Sequence, residues 1–287
     1  MYKLLFIIPI TALLIFNCDL FTQQRTLKPY DPEKAGATIV EEFNITNKIS
    51  ITGIPIFPEG VLINSRYDVA EYNNTIYIYN NNKIYIFNKD TFEKIDELVL
   101  NIRATYINKG YGMAITSSGN AFLYCPYLLF SINLFTGDSI KINIDEINFE
   151  NDRISKLGYD KNKDAIWFLK YENNLPYLLF YSYNAHEQEF VFIEQKEAPK
   201  SYHEITSIYG DTCWFNGFIY ADASNKKSNI GISRYSFINL NQQLHFIDVE
   251  YLNTLTLPQS THYDGEHIWL MVERCNQIQM LKLLPHG

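Results

Sequence analysis

The chain has 287 residues, of which 47% are hydrophobic and 20% charged, a globular composition that excludes a disordered tail or a coiled coil. A net charge of −8, with no run of lysine or arginine longer than two, excludes the basic stripe that a nucleic-acid partner needs. Twenty-two tyrosines and 19 phenylalanines, with abundant isoleucine, suit pleated, half-buried strands better than helices.

The first element is an apolar run from Leu4 to Phe16, preceded by Lys3, broken only by Pro9 and Thr11, and followed by Asn17 and Cys18. As a helix it would reach about 20 Å, short of the roughly 30 Å hydrocarbon core, so residues 1–17 are expected to be an export signal and not a span. The sequence Ile15-Phe16-Asn17-Cys18 resembles the lipobox of bacterial lipoproteins, in the relaxed form seen in spirochaetes, where Asn17 stands in place of the usual small residue. That resemblance implies acylation (palmitate) on Cys18 and a lipid anchor in the bacterial cell envelope, facing the periplasm or the cell surface. Residues 18–36 are polar and proline-bearing and read as a tether. The domain expected to fold is 37–287.

Strand signals then run to the end of the chain. Thr38–Ile45 alternates, and Lys48–Ile54 reads as a further strand without an assigned place. From Tyr67 to Asn101 four short apolar stretches are joined by turns at Asn73-Asn74, Asn80–Asn82 and Asn88–Thr91. Four consecutive antiparallel strands in so short a segment make one blade of a propeller. Ile76-Tyr77, Ala121-Phe122, Ile166-Trp167, Cys213-Trp214 and Ile268-Trp269 repeat one small-or-apolar–aromatic step at intervals of 45, 45, 47 and 55 residues. Such a period marks a repeat architecture. The fourth repeat, residues 202–252, is lengthened by a predicted loop at Ala221–Asn229. The fifth, from Gln259, has only three strands, and Thr38–Ile45 is the candidate to complete it. The expected fold is an all-β propeller of five blades, six being the alternative, each of four antiparallel strands and closed by an N-terminal strand. As a whole the chain resembles bacterial lipoproteins carrying a β-propeller of the NHL/PQQ-like kind.

In such an architecture the first strand of each repeat lines a central channel. The positions to inspect there are Arg66, Asp68, Tyr111, Met113, Ser155, Lys156, His203, Glu204 and His262. His203, Glu204 and His262, with Arg66 and Asp68, form the candidate channel or ligand-binding set, because histidine beside carboxylate can hold a metal or serve acid–base work. No cofactor or metal is expected, since neither GxGxxG, a P-loop, HExxH nor GxSxG occurs. The acids Asp90, Asp138, Asp160, Asp164, Asp211 and Asp264 fall in turns and read as solvated surface. Trp167, Trp214 and Trp269 share one repeat position and read as packing, against the rival of a stacking platform. Besides Cys18, the three cysteines Cys125, Cys213 and Cys275 remain; a Cys213–Cys275 bridge is conceivable, but small apolar strand residues are favoured. The function expected is a non-enzymatic binding or scaffold module for a protein or other envelope ligand. The alternative is an envelope propeller hydrolase or lyase with a polar or metal site in the central channel, and a third reading is a sugar-binding surface.

Overall fold

The computed structural model describes residues 37–49, 54–55, 62–63, 67–80, 82–102, 111–125, 127–198, 205–215, 219–222, 227–236, 245–252, 256–274 and 277–286. The signal, Cys18, the tether, Arg66, His203, Glu204 and Cys275 lie outside them. All regular structure in the described residues is β. No helix among them is long and apolar enough to cross a membrane.

After β1 (Ala37–Asn44) comes a minimal pair, β2 (Ile54–Pro55) and β3 (Leu62–Ile63). Of the strand expected over Lys48–Ile54, Lys48 and Ile49 lie in a turn, Ile54 opens β2, and residues 50–53 lie outside the described residues. Residues 46–49 make a turn in which Lys48 Nζ donates to Phe92 O (2.9 Å), so the polar stretch is used to dock the chain. Then β4 (Tyr67–Tyr72), β5 (Thr75–Asn80), β6 (Lys83–Asn88) and β7 (Lys94–Val99) form a sheet in sequence order. Its first turn is Asn73-Asn74 with φ of 48° and 58°, the left-handed pair that a two-residue hairpin needs and asparagine tolerates.

The next two repeats are β8 (Tyr111–Ile115), β9 (Ala121–Cys125), β10 (Leu128–Ile132) and β11 (Ser139–Ile142), then β12 (Arg153–Asp160), β13 (Ala165–Glu172), β14 (Leu175–Asn184) and β15 (Glu189–Glu197). They merge into one eight-stranded sheet through a short parallel contact of β8 with β12. Gly112 permits it: a Cβ there would lie 2.3 Å from Leu157 O and 2.4 Å from Leu157 N. Gly112→Ala is therefore expected to cost about 1–3 kcal/mol, because the obstacle is backbone and cannot rotate away. An unchanged urea midpoint in Gly112→Ala would show that the two strands are not this close.

The fourth repeat comprises β16 (Ile205–Tyr209), β17 (Thr212–Phe215), β18 (Ile219–Asp222), β19 (Lys227–Ser236) and β20 (His245–Leu252). Within the predicted loop Ala221–Asn229, Ala221 and Asp222 belong to β18 and Lys227–Asn229 to β19, with Ala221 opposite Ser228 and Asp222 opposite Lys227; residues 223–226 lie outside the described residues. The last sheet runs β1, then β23 (Gln277–Pro285), β22 (Ile268–Arg274) and β21 (Thr256–Tyr263). The first described strand thus pairs with the last, from Ala37 opposite Pro285 to Asn44 opposite Gln279, as its sequence led one to expect.

Period-two alternation divides each strand between two neighbours. Tyr77 and Tyr79 face Met113, Leu123 and Cys125 of the next sheet, while Ile76 and Ile78 face Trp269, Met271 and Met280 of the last. Phe122 and Tyr124 pack against Leu157 and Phe168; Trp167 and Phe180 against Ile205 and Cys213; Trp214 against Ile268 and Leu270. Among the described residues, five apolar clusters therefore lie between successive repeats. The first strands β4, β8, β12, β16 and β21 lie side by side in that order, with β21 beside β4.

Candidate functional site

Each first strand sends one face towards its neighbours across a central cleft. Asp68 and His262 of the predicted set both reach it; Arg66, His203 and Glu204 are outside the described residues. The cleft also takes Glu71, Ser207, Thr206 and Gly158, and leaves a cavity of about 20 Å³, room for one water.

At its centre Asp68, 3% exposed, is held from three other strands. Lys156 Nζ and Ser260 Oγ (3.2 Å) donate to Oδ1, and Met113 N donates to Oδ2. The Lys156–Asp68 pair is buried on both sides, so neither charge is free for a ligand without leaving the other uncompensated.

Towards one end lies a second cluster, which the sequence concealed because its members sit in different repeats. Lys89, from the turn after β6, reaches Asp264 (2.8 Å) and Glu71 (3.4 Å), and Lys161 reaches Glu71 at 3.2 Å. Asp264 also accepts His267 N at 2.7 Å and Trp269 Nε1 at 2.8 Å. Burial pushes its carboxyl up, but Lys89, those donors and Glu266 N outweigh it and hold the group well below the usual carboxylate range.

Asp264 and Asp160 correct the expectation that turn acids are solvated. Asp160 is fully buried, with Oδ1 accepting from Gly210 N (2.9 Å) of the next repeat and from Asn162 N (3.0 Å). No lysine forms an ion pair with it among the described residues, and burial raises its pKa against those amides, Lys163 N and the charge of Lys163. Its Oδ2 and Trp167 Nε1 have no hydrogen-bond partner among the described residues, whereas their repeat equivalents Asp264 and Trp269 bond to each other. A short side chain beside a backbone N–H becomes a staple between sheets, a role the turn motif alone does not reveal. Tyrosines act alike: Tyr159 Oη accepts from Ser117 N (3.0 Å), and Tyr209 Oη lies over Gly265, whose φ is 106°.

The His262 imidazole is partly buried, and no side-chain hydrogen bond engages it among the described residues. Burial lowers its pKa; Glu71, Asp264 and Asp68 pull the other way and Lys89 adds to the lowering. A histidine kept neutral in the fold destabilises it once the unfolded chain binds a proton the native one refuses, so stability falls as pH drops below about 6.5. His262→Gln is expected to flatten unfolding free energy between about pH 6.5 and 5. An equally steep slope in that variant would assign the effect elsewhere.

Trp167, Trp214 and Trp269 are at most 1% exposed, which settles them as packing. Cys125 and Cys213 are buried free thiols, and burial pushes Cys125 up to about 11 and Cys213 up as well, so both behave as apolar residues. No group of three histidine, cysteine, aspartate or glutamate side chains converges as a metal set among the described residues.

These features define a class, an all-β protein of repeated antiparallel sheets stacked through aromatic interfaces. No family model matches the sequence, and a search of curated proteins gives no match. Among solved structures, the chain is similar to the tail fiber of Staphylococcus aureus phage P68, with a TM-score of 0.52 at 11% identity. The match covers 95% of this chain and 56% of that one, so the chain spans little more than half of it. It is also similar to an extracellular domain from B. thetaiotaomicron, with a TM-score of 0.34 and 14% identity over 80% of this chain and 28% of that one. At these identities the tail fiber likeness speaks to the fold alone.

Proposed function

We propose that the chain is a five-bladed β-propeller whose last blade is completed by β1, and that it serves as a non-enzymatic binding or scaffold module held to a bacterial envelope membrane by a lipid on Cys18. The ring order of the first strands and the five successive apolar interfaces support the blade count. The lipobox-like Ile15–Cys18 supports the anchor.

One observation carries the non-catalytic reading. Asp68 and Glu71, which line a cavity of about 20 Å³, and the neighbouring Asp264 are each engaged by a lysine. An acid, base or nucleophile must touch its substrate and exchange a proton with it. Groups locked together in a space for one water do neither, and their net charges cancel locally. Ligand contacts then fall to the loops at the ends of the sheets.

The envelope hydrolase reading rests on His262, whose imidazole lines the cleft and makes no hydrogen bond among the described residues. Assays of the full chain against nitrophenyl esters, phosphates and glycosides and against lactones should give no turnover above that of the heat-unfolded protein. Turnover lost in both His262→Ala and Asp68→Asn would overturn the binding-module reading. For the anchor, palmitate incorporation and detergent-phase partition should disappear in Cys18→Ala, and unchanged labelling would sink it.

A further inference from the structure

We infer that a groove on the connection from β11 to β12, away from the central cleft, is a binding site for a neutral saccharide. The groove holds about 320 Å³, within the range of roughly 300–1,000 Å³ usual for small-molecule sites and far larger than the central cavity. It is lined by Tyr127, Lys141, Asn143, Asp145, Asn148 and Glu150, over a floor of Ile144, Ile147 and Phe149.

The loop is built to hold that shape. Ile144 and Ile147 bridge to each other, and both pack with Phe149 in the core between the second and third repeats. Asn148 Oδ1 accepts Glu150 N (3.1 Å) and Asn151 N (3.3 Å), while Asn148 N donates to Asp152 Oδ2 (3.0 Å). With its oxygen turned inward, the Asn148 amide NH₂ remains to donate. On the opposite wall Tyr127 has φ of 69°, a left-handed conformation that costs a non-glycine residue energy and sets the ring beside the groove.

The polar wall is unspent. Among the described residues no hydrogen bond or ion pair engages the side chains of Lys141, Asn143, Asp145 or Glu150. That leaves an amide, an ammonium and two carboxylates open to solvent around one concavity.

Their mixture selects the ligand class. Inorganic phosphate or another anion would face Asp145 and Glu150 with only Lys141 in favour. A calcium ion seeks six to eight oxygens and would find two carboxylates opposed by an ammonium. A nucleic acid meets the same acids. A hydroxyl-rich neutral ring uses every group: hydroxyls donate to Asp145 and Glu150 and accept from Lys141, Asn143 and Asn148, while its C–H face lies on Tyr127 and the apolar floor.

This site deepens the binding-module reading and rests on it only in needing no chemistry; the turnover panel interrogates the central cleft, whereas sugar titrations interrogate this groove. Calorimetric titration of the full chain with maltose, cellobiose and the N-acetylglucosamine dimer, at sugar concentrations reaching well above about 1 mM, should show saturable heat for at least one. Asn143→Ala and Tyr127→Gly, the latter keeping the left-handed backbone accessible, should each weaken it by about tenfold or more. Asn143→Ala should retain the wild-type urea midpoint, and Tyr127→Gly should still unfold in one cooperative transition. No saturable binding by any of the three sugars, or binding unchanged in both variants, overturns the proposal. So does displacement of the bound sugar by inorganic phosphate or calcium, which would assign the groove to an ion.

Discussion

Lys156→Met should be among the most damaging single changes in the protein, costing about 3–5 kcal/mol. The substitution keeps most of the side-chain volume and removes the charge, so the loss is not a cavity. It leaves the Asp68 carboxylate buried at 3% exposure with Met113 N and Ser260 Oγ but no counterion. Because those donors come from different repeats, the strain reaches three sheets together. The double variant Asp68→Asn, Lys156→Met should recover a large part of the loss, since no orphan charge remains. Urea unfolding read as a shift of midpoint at constant slope tests both. A loss below about 1 kcal/mol in Lys156→Met would mean the pair is solvated as surface pairs are.

Trp269→Ala should cost a similar amount, about 3–5 kcal/mol, by a different route. Its ring is fully buried and stacks with Phe92 (6.0 Å) and Phe43 (6.5 Å), where the last sheet meets the first. Its Nε1 also donates to Asp264, and the Lys89 and Lys282 ammonium groups lie over the ring at 5.8 Å and 5.5 Å. Trp269→Phe separates these contributions: it restores the apolar contact but not the hydrogen bond, and should recover more than half of the loss. If the phenylalanine variant is as unstable as the alanine one, the bond to Asp264 is the larger share.

The repeat at about 45 residues was legible because turn and strand chemistry is local: Asn73-Asn74 specifies its own hairpin, and alternation specifies which side of a strand is buried. Pairing of Thr38–Ile45 with the C-terminal strand followed from counting strands in the last repeat. The cleft was only half legible. Asp68 and His262 stand on first strands and could be placed by register, whereas Lys89 reaches Asp264 from another repeat, a meeting no local pattern encodes. Asp160 misled for the same reason. A turn aspartate reads as solvated until the neighbouring sheet supplies Gly210 N. The loop at 143–152 carried no periodic signal, because its order comes from Asn148 capping and from three apolar anchors.

The pairing of β1 with β23 also fixes a schedule. Ala37 emerges from the ribosome early, yet its partner Pro285 follows every other described strand. Until then the last sheet lacks its third strand, and the seam holding Trp269, Ile76 and Phe92 cannot seal. Sequence-distant pairing of this kind slows folding, since loop closure must precede the contacts that reward it. Nascent chains should therefore stay protease-sensitive at the first repeat until Gln277–Pro285 has been made, so that the final strand acts as the latch on the earliest.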